Sequence, residues 1–557
     1  MTRRCFWRAA MGTALALVAL PAAAHGDTRV TRDATAGSYI RYDGATDATM
    51  QACSTGRRTQ NEPSVAVHPA KPDVVVAGSN DYCAEMTNGN GNVWAGYYRS
   101  TDGGQTWTNS LVPGYPTDGS PAGRASPTQG VCAAAGDPTQ AFDADGRLYY
   151  GFICFNRAKP TNGGIYVARY DGDGARFVRT ALVEPGTPSV LGLFQDKINL
   201  AVDQSSGRAT SGNVYVAWAR YSGGTSNDVI LFSRSTDGGS TWSRAERIAN
   251  APGELQFTDI GIGPDGGVYV TYRSFDSSSA RQEHAIHIVR SVDGGASFGQ
   301  SRLVARIDPF DSTDFGPDTC GDGPFICASG LTYARFSSQS AVTADGTGVH
   351  VVWSARDADG QAKIFVRNSP NGVNWSSPAQ PIDMVPRGHQ FFPDVASAGG
   401  RLSVVFQDSR ADASYSSLLP PGNTAAGGNS GPVVQTFVAS SADGGGTWSE
   451  SEVSTAGSNP NWEVRGLARS PFFGDYNYVS ATGGARYATW TDARDLVPGQ
   501  DPRGTAKPGG VDTFDGAQNC TWVPNDINAA AFSSPSIGDP CLSAGGLDQN
   551  IYVARLL

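Results

Sequence analysis

Apolar and polar residues alternate along most of the chain in short stretches that are typical of β-strands. The clearest pattern is a pair of such stretches joined by a tight turn, as in SVAVHPAKPDVVVAGSND at 64–81 and DIGIGPDGGVYVTYRS at 259–274. Related pairs occupy 139–152, 199–220, 340–357, 394–410 and 477–494. A period of two puts alternate side chains on opposite faces of a sheet, so each pair predicts a hairpin.

A second recurring stretch follows the hairpins, an apolar strand that runs into a glycine-rich turn. Four copies read STDGGQTW at 100–107, STDGGSTW at 235–242, SVDGGASF at 291–298 and SADGGGTW at 441–448. Degenerate copies stand at 170–177 and 369–375, and the seventh hairpin is followed by the strand QNIYVARLL at 549–557. Together these stretches make a four-stranded unit that repeats about every seventy residues.

The repeats predict an all-β fold, a β-propeller of seven four-stranded antiparallel blades at residues 61–557. The last unit has three strands of its own, so we expect the N-terminal segment at 25–60 to supply the fourth, from residues 38–42. A closing strand of this kind leaves no free sheet edge in the ring. Six blades and a separate hairpin are the alternative architecture.

The composition and the first residues indicate an exported protein rich in β-structure. The 557 residues include 69 glycines, and only 17% are charged. Arg3, Arg4 and Arg8 precede the apolar run 9–20 and an A-x-A site at 22–24, a pattern that predicts a signal peptide at 1–24. The stretch TRRCFWR also resembles a twin-arginine export signal. We therefore expect a secreted or periplasmic protein with no membrane span.

Net charge indicates which ligands the protein can bind, and cysteine content indicates whether it contains disulfides. The formal net charge of −10 becomes −13 when the three arginines of the signal peptide are lost, which argues against nucleic acid as a ligand. Eight cysteines remain, at 53, 83, 132, 154, 320, 327, 520 and 541, and predict disulfides, with Cys320–Cys327 and Cys520–Cys541 as local candidates. We expect a monomer without a cofactor; structural calcium, which the DADG stretches at 143–146 and 357–360 suggest, is the alternative.

The S-x-D-G-G-x-T-W turn resembles the Asp-box, also called the BNR repeat. Over nearly its whole mature length the chain is similar to Asp-box propellers of the sialidase-like superfamily. The resemblance implies that each turn is a structural hairpin between the third and fourth strands of a blade and does no chemistry. Sialidases carry an R-I-P motif with a substrate-binding arginine. The corresponding region of this chain reads RRTQNEPSVAV at 57–67, in which Arg57 and Arg58 are the candidates to replace that arginine. The resemblance therefore implies a glycan-active propeller rather than a true sialidase.

The face opposite the repeated turns is where we expect the chemistry. First-strand starts and second-strand ends meet there, beside the long insertions 108–135, 305–337, 411–432, 449–472 and 495–548. The candidate catalytic carboxylates, all at first-strand starts, are Glu62, Asp137, Asp394 and Asp475; Asp196 and Asp259 hold similar places. The candidate substrate-binding residues are Arg356, Arg410, Arg494 and Tyr476. A carboxylate pair can hydrolyse a glycosidic bond, and arginines can clamp an anionic sugar.

The leading interpretation is a secreted glycoside hydrolase of sialidase-like type that acts at this loop-rich mouth through a carboxylate pair. One alternative is a non-catalytic propeller that binds glycan or protein, in which the same acids and arginines form salt bridges between blades. The other is a polysaccharide lyase, with Tyr476 or His389 as the base.

Overall fold

The computed structural model describes residues 26–556 except for 34, 55–58, 85–92, 157–161, 188–192, 223–227, 250, 252, 276–283, 311–324, 327–331, 335, 376–377, 384, 418–419, 425–426, 429–430, 462–463, 466–469, 496–532, 535–538 and 541–547. The expected signal peptide, Arg57, Arg58 and both local cysteine pairs lie outside the described residues. No helix in the described part of the chain is long and apolar enough to cross a bilayer.

Seven four-stranded antiparallel sheets form the blades of a propeller, which confirms the predicted fold. The first strand of each blade is innermost and contacts the first strands of its neighbours, so the blades close into a ring. Blade 1 consists of Gln60–Val67, Val75–Asp81, Trp94–Ser100 and Thr108–Leu111. Blade 2 consists of Ala134–Phe142, Leu148–Asn156, Asn162–Asp171 and Arg176–Glu184. Blade 3 consists of Leu193–Val202, Val214–Ser222, Val229–Ser235 and Glu246–Arg247. Blade 4 consists of Glu254–Ile262, Val268–Phe275, His284–Ser291 and Arg302–Ile307. Blade 5 consists of Ser340–Asp345, Gly348–Arg356, Ala362–Ser369 and Gln380–Pro381. Blade 6 consists of Gln390–Ala398, Arg401–Asp408, Gln435–Ser441 and Ser449–Glu452.

Blade 7 closes the ring with a strand from the N-terminal segment. It consists of Tyr478–Ala481, Arg486–Asp492, Asn550–Leu556 and, outermost, Asp27–Arg29. The closing strand is therefore Asp27–Arg29 rather than the expected residues 38–42, since the segment must still travel from blade 7 to blade 1. On that path Tyr39 forms an isolated bridge to Asn109 of blade 1.

Helices and short ribbons occupy the connections between strands. The helical segments are Ala48–Cys53, Tyr82–Ala84 and Pro121–Ala125. The two-stranded ribbons pair Phe325–Ile326 with Thr332–Tyr333, Asn423–Thr424 with Gly427–Gly428, Val464–Arg465 with Ser470–Pro471, and Ser533–Ser534 with Asp539–Pro540. Disulfides Cys53–Cys83 and Cys132–Cys154 fasten connections at blades 1 and 2. Disulfide bonding, predicted from the cysteine count, is thus present among the described residues.

Alternation along the strands builds a core between the blades. The second strands of blades 3, 5 and 7 each bury a tryptophan, Trp218, Trp353 or Trp490, at no more than 2% exposure. Burial of a large apolar side chain stabilises the fold by about 2–3 kcal/mol. The core is therefore divided among the interfaces between blades, which holds the inner strands in fixed relative positions.

The repeated turn is a hydrogen-bonded device that packs one blade on the previous one. In blade 3, Asp237 Oδ1 accepts hydrogen bonds from Ser235 Oγ at 2.8 Å and from the N–H groups of Ser240 and Thr241 at 3.0 and 2.9 Å. Asp102, Asp293 and Asp443 repeat this pattern in blades 1, 4 and 6. Gly239, at φ 71°, lies against the Tyr149 ring of blade 2. The polar groups of the turn thus form hydrogen bonds within the turn and stabilise its backbone.

Removal of one turn carboxylate tests this structural role. We expect Asp237→Ala to lower the free energy of unfolding by about 1–2 kcal/mol at neutral pH, since the capped N–H groups lose their acceptor. Burial alone raises the pKa of Asp237, but hydrogen bonds from Thr241, Ser235 and Ser240 lower it to about 2. The stabilisation is therefore present above about pH 4 and is lost as the pH falls towards about 2. Urea unfolding measures it, and Glu246→Ala, an exposed site in the same blade, is the control; equal losses in both would contradict the role.

Candidate functional site

Five inner strands share a β-bulge close to the mouth of the propeller. The register of each shifts after residue 61, 136, 196, 256 or 391. The residue that follows has a left-handed backbone with φ between 53° and 55°: Glu62, Asp137, Lys197, Phe257 and Phe392. Such a conformation costs a side-chain-bearing residue about 1–3 kcal/mol, and a bulge redirects the side chain it carries. The repeated strain places charged groups of blades 1, 2 and 3 at the centre of the ring.

Glu62 and Asp137, from adjacent blades, are joined by hydrogen bonds. The Asp137 carboxylate hydrogen-bonds to the carboxyl groups of both Glu62 and Asp196. Asn80 supports the pair, because its Nδ2 donates to Glu62 Oε2 at 2.6 Å and its Oδ1 accepts from the Asp137 N–H at 2.9 Å. Glu62 and Asp137 are only 2% and 6% exposed. Their bulges thus bring two predicted catalytic carboxylates into one buried pair.

Lys197 connects this pair to Asp475, just ahead of the first strand of blade 7. Its Nζ forms an ion pair with Asp475 Oδ2, and its N–H donates to Asp137 Oδ2 at 3.1 Å. Gly474, at φ 86°, allows the close approach, since a Cβ there would lie 2.9 Å from Glu62 Cγ. We call Glu62, Asp137, Asp196, Lys197 and Asp475 the central cluster. It contains four carboxyl groups and one ammonium group.

Crowding of like charges in a buried place perturbs the proton affinities of the central cluster. Burial, and then the Asp137 charge, raise the pKa of Glu62 well above its usual range and that of Asp196 to about 7. Burial alone lowers the pKa of Lys197, but the surrounding carboxylates, Asp475 foremost, outweigh it and raise that pKa. These shifts favour the charged form of Lys197 and the protonated form of Glu62.

Sequence reasoning missed Lys197, although the chain carries a signal for it. The residue at the bulge position is Glu62 in NEPS, Asp137 in GDPT and Lys197 in QDKI. Alignment of the bulges rather than of the carboxylates would have found it. The predicted ligand residue Tyr476 lies near these groups, and its pKa is raised by burial first and then by Asp137 and Glu62.

Asp394, the fourth predicted catalytic carboxylate, lies in the central channel that the inner strands enclose. It has a different bonding role from the carboxylates of the central cluster. A cavity of about 50 Å³ in the channel is lined by residues that include Asp394, Asp259, Lys197 and Tyr476. Asp394 Oδ2 accepts a hydrogen bond from the Val479 N–H of blade 7 at 2.6 Å. Asp259 makes the same kind of contact with blade 5. These two carboxylates thus bond one inner strand to the next.

Tyr478 crosses the same channel from blade 7. Its hydroxyl accepts a hydrogen bond from Asn199 Nδ2 at 2.8 Å and donates to Thr139 Oγ1 at 3.3 Å, in blades 3 and 2. It therefore spans the axis of the propeller and limits the depth of the cavity.

The three predicted substrate-binding arginines do not join the central cluster. Arg410 pairs with Asp408 and Asp383 at 2.7 and 3.1 Å and lies 4.0 Å from the centre of the Phe437 ring. Arg494 pairs with Asp492 at 2.6 Å and with Asp27 of the closing strand at 2.8 Å. Arg356 Nε donates to the Pro309 carbonyl at 3.1 Å. These three predicted substrate-binding arginines are therefore engaged in contacts within the protein.

A local turn explains where two of these arginines point. In DSR at 408–410 and DAR at 492–494, the aspartate Oδ1 accepts the arginine N–H two residues on, at 2.6 and 2.8 Å. Such an Asx-type turn bends the chain at the strand end. The guanidinium groups then pair with the same aspartates and stack on rings of the outer strands, Phe437 and Tyr552. Two acids at second-strand ends are thus capped by their own arginines.

The raised pKa of Asp196 gives a test of the central cluster. The folded protein holds the Asp196 proton up to about pH 7, whereas the unfolded chain releases it near pH 4. Because the native state binds this proton more tightly, the free energy of unfolding falls as the pH rises from about 4 to about 7. The substitution Asp196→Asn keeps a donor towards Asp137 but removes the ionisation. We expect this variant to match the wild type near pH 4 and to exceed it by on the order of 2 kcal/mol near pH 8.

Urea unfolding across this pH range measures the difference. The control is Asp359→Asn, at an exposed position outside the cluster. If the stability curves of Asp196→Asn and the wild type run parallel from about pH 4 to about pH 8, Asp196 does not share a proton with Asp137.

Comparisons with known proteins give structural likeness only. No protein-family model matches the sequence, and no curated protein does. Similar solved structures include a Hadza microbial sialidase, with 13% identity, a TM-score of 0.39 and coverage of 75% of this chain and 74% of that one. An α-L-arabinofuranosidase of Fusarium graminearum has 13% identity, a TM-score of 0.40 and coverage of 62% and 88%. An α-L-arabinanase of Penicillium chrysogenum has 14% identity, a TM-score of 0.39 and coverage of 63% of this chain and 88% of that one. Values this low carry no conclusion about the activity of this chain.

Proposed function

We propose that the protein is a secreted glycan-active enzyme, a glycoside hydrolase that works at the central cluster. One observation carries the proposal: four carboxyl groups surround one lysine, and Glu62, Asp137 and Lys197 have strained backbones. Like charges packed in a buried place oppose folding, and perturbed proton affinities concentrate at functional sites. Phe257 and Phe392 have the same strained backbone without a charge, so it is the repulsion among the buried charges that a purely structural centre would not need.

The proposed chemistry assigns a role to each group. Glu62, whose raised pKa favours the protonated form, donates a proton to the glycosidic oxygen, and Asp137 holds that proton in position through its hydrogen bond. Asp475, paired with Lys197, accepts a proton from the water that attacks the anomeric carbon. The glycosidic C–O bond breaks, the leaving sugar takes the Glu62 proton, and the water oxygen joins the anomeric carbon. Side chains alone supply the reaction, without a metal or a cofactor.

The remaining parts of the proposal concern location and ligand contacts. A signal peptide at 1–24 would export the chain, and disulfides Cys53–Cys83 and Cys132–Cys154 suit an oxidising compartment. Tyr476 would contact the sugar from the wall of the central cavity. The acidic net charge suits a neutral glycan better than nucleic acid, and the monomer would be the active form.

A degradation screen tests the proposal. The mature protein is incubated with sialyl glycosides, arabinan and a broad polysaccharide panel, and released sialic acid, new reducing ends and unsaturated products are recorded. New reducing ends that disappear with Asp475→Asn support hydrolysis. Unsaturated products would instead indicate a lyase. No product from any substrate would refute the enzymatic proposal.

A binding propeller is the second candidate, and the burial of the acids favours it. Glu62, Asp137 and Asp475 are at most 6% exposed, and Arg410 and Arg494 are held in ion pairs. This function predicts retention on a glycan or protein array together with a silent degradation screen. For the lyase alternative, His389 is fully buried, its ring 4.3 Å from that of Phe310 and its Nε2 bonded to the Ser416 carbonyl. That placement does not favour His389 as a base.

A further inference from the structure

Three buried amide side chains connect the Glu62 carboxyl to the closure of the ring at blade 7. They are Gln549, just ahead of the third strand of blade 7, Asn61, next to Glu62 in sequence, and Asn80, on the second strand of blade 1. Asn61 Nδ2 donates to Gln549 Oε1 at 3.1 Å, and Asn80 Nδ2 donates to Asn61 Oδ1 at 3.2 Å. All three side chains are buried. We call Gln549, Asn61 and Asn80 the amide network.

Backbone groups at both ends fix the direction of the hydrogen bonds in the amide network. At one end, Asn80 Oδ1 accepts from the Asp137 N–H at 2.9 Å, a group that can only donate. At the other end, Gln549 Nε2 donates to the Phe472 carbonyl at 3.1 Å, a group that can only accept. A turned-over amide would bring two acceptors or two donors together at either end. The nitrogen of Asn80 therefore faces Glu62.

Asn80 binds one particular oxygen of the Glu62 carboxyl. Its Nδ2 donates to Glu62 Oε2 at 2.6 Å, and among the described residues it is the one amide that donates to this carboxyl. The other side of Asn80 is closely packed as well, since a Cβ at Gly136 would lie 2.6 Å from Asn80 Oδ1. The donor thus has little room to move away from Oε2.

We infer that Asn80 positions the proton of Glu62: it holds Oε2 as a hydrogen-bond acceptor, so that Oε1 carries the proton that passes to the leaving sugar. A carboxylic acid has one oxygen that bears the proton and one that only accepts, and a fixed donor selects the second. Asn80 acts through Glu62 and is a positioning residue. The catalytic part of this inference rests on the proposed function, whereas the place of the proton does not.

The amide network also makes the position of this proton depend on ring closure. Gln549 directly precedes the strand Asn550–Leu556 of blade 7, and its carbonyl accepts the Gln60 N–H of blade 1 at 2.7 Å. Asn61 and Asn80 therefore reach their observed orientation only when blade 7 has closed on blade 1. The contact that closes the ring and the contact that orients Glu62 belong to one set of hydrogen bonds.

Asn80 has an electrostatic effect that an ordinary structural residue would not have. A hydrogen bond donated to a carboxylate stabilises its charged form. Asn80 therefore limits the rise that burial and the Asp137 charge cause in the pKa of Glu62. Loss of this donor should make Glu62 hold its proton more tightly and leave both oxygens able to carry it.

A titration of the Glu62 carboxyl by ¹³C NMR, on the full mature chain, tests the inference. The signal is the one that disappears in Glu62→Gln. Asn80→Leu removes the donor with little change of shape, and we expect it to raise the midpoint of the Glu62 titration by about one pH unit. Gln549→Leu releases the far end of the amide network and should raise the midpoint by less.

The control is Asn213→Leu, which removes a buried amide of blade 3 whose Nδ2 donates to Tyr215 Oη at 3.3 Å. It should leave the Glu62 midpoint unchanged, even if it lowers stability. On a glycan that the wild type degrades, Asn80→Leu should lower kcat about a hundredfold and change KM by less than about threefold. Asn213→Leu should keep the wild-type kcat.

A wild-type midpoint in Asn80→Leu, or in Gln549→Leu, overturns the inference; the second variant decides the matter if the first does not fold. A wild-type kcat in Asn80→Leu would also overturn it, because the position of the proton would then not matter to the reaction. A wild type that degrades no glycan refutes the proposed function instead, and the titration still decides whether Asn80 positions the proton.

Discussion

Glu62→Gln is expected to lower kcat on the glycan that the protein degrades by about a thousandfold. Glutamine keeps the size of the side chain and can still accept the hydrogen bond that Asn80 Nδ2 donates to Glu62 at 2.6 Å. It has no acidic proton to give to the leaving oxygen. Because burial and the Asp137 charge raise the pKa of Glu62 well above that of an ordinary glutamate, the wild type should lose activity as the pH rises through that raised pKa.

The pH profile makes this prediction specific to proton donation. The loss of kcat with rising pH should be absent from Glu62→Gln, whose residual activity should not depend on ionisation at this position. Asp359→Asn, an exposed change, is the control and should retain the wild-type rate and profile. Steady-state rates of reducing-end release across the pH range are the measurement. An unchanged kcat in Glu62→Gln would remove Glu62 from the catalytic role and leave it as a structural partner of Asp137.

Lys197→Met is expected to lower the free energy of unfolding by about 4 kcal/mol at neutral pH. Methionine fills a similar volume but removes the one positive charge among four carboxyl groups, and Asp475, at 0% exposure, loses the ion pair. Removal of one partner of a buried pair leaves a charge without compensation, which costs more than the pair contributes. Lys197 also lies on the bulge of blade 3, so the loss should reach the inner strands.

The same variant has a predicted pH dependence. The deficit should shrink as the pH falls, because the carboxyl groups take up protons and no longer require a cation. Urea unfolding of Lys197→Met, Asp475→Asn and the double variant measures the coupling between the two residues. We expect the double variant to be more stable than Lys197→Met alone. If the two single losses simply add, the ion pair does not hold blade 3 to blade 7.

Repetition made the architecture predictable from the sequence. Seven hairpins with a period of two, and a turn whose Ser, Asp and Gly residues each have a backbone role, specify a blade through contacts close in sequence. The hydrogen bonds of Asp237 run to residues within four positions of it, so the turn can be read without knowledge of the ring. The position of the closing strand could not be read in this way, since Asp27–Arg29 pairs with residues more than five hundred positions later.

The candidate site was predictable only in part. The starts of the inner strands correctly indicated that Glu62, Asp137 and Asp475 could meet, because a ring gathers its inner strands at one mouth. The pattern could not separate them from Asp394, which bonds to the Val479 N–H. Nor could it show that Arg410 and Arg494 turn back onto their own aspartates. Each of these outcomes depends on a side-chain direction that the alternation of residues does not encode.

The sequence by itself determined the strands, their turns and the four-stranded repeat, and it favoured seven blades over six, since these features rest on local hydrogen bonds and on the period of the apolar residues. Tertiary structure alone decided which charges face one another. The ion pair of Lys197 with Asp475 joins blade 3 to blade 7 across the centre of the ring, and the pKa of Asp196 reaches about 7 only because it is buried with Asp137 of another blade beside it. Electrostatic energy depends on distance in space and on burial, and both exist only once the ring has closed.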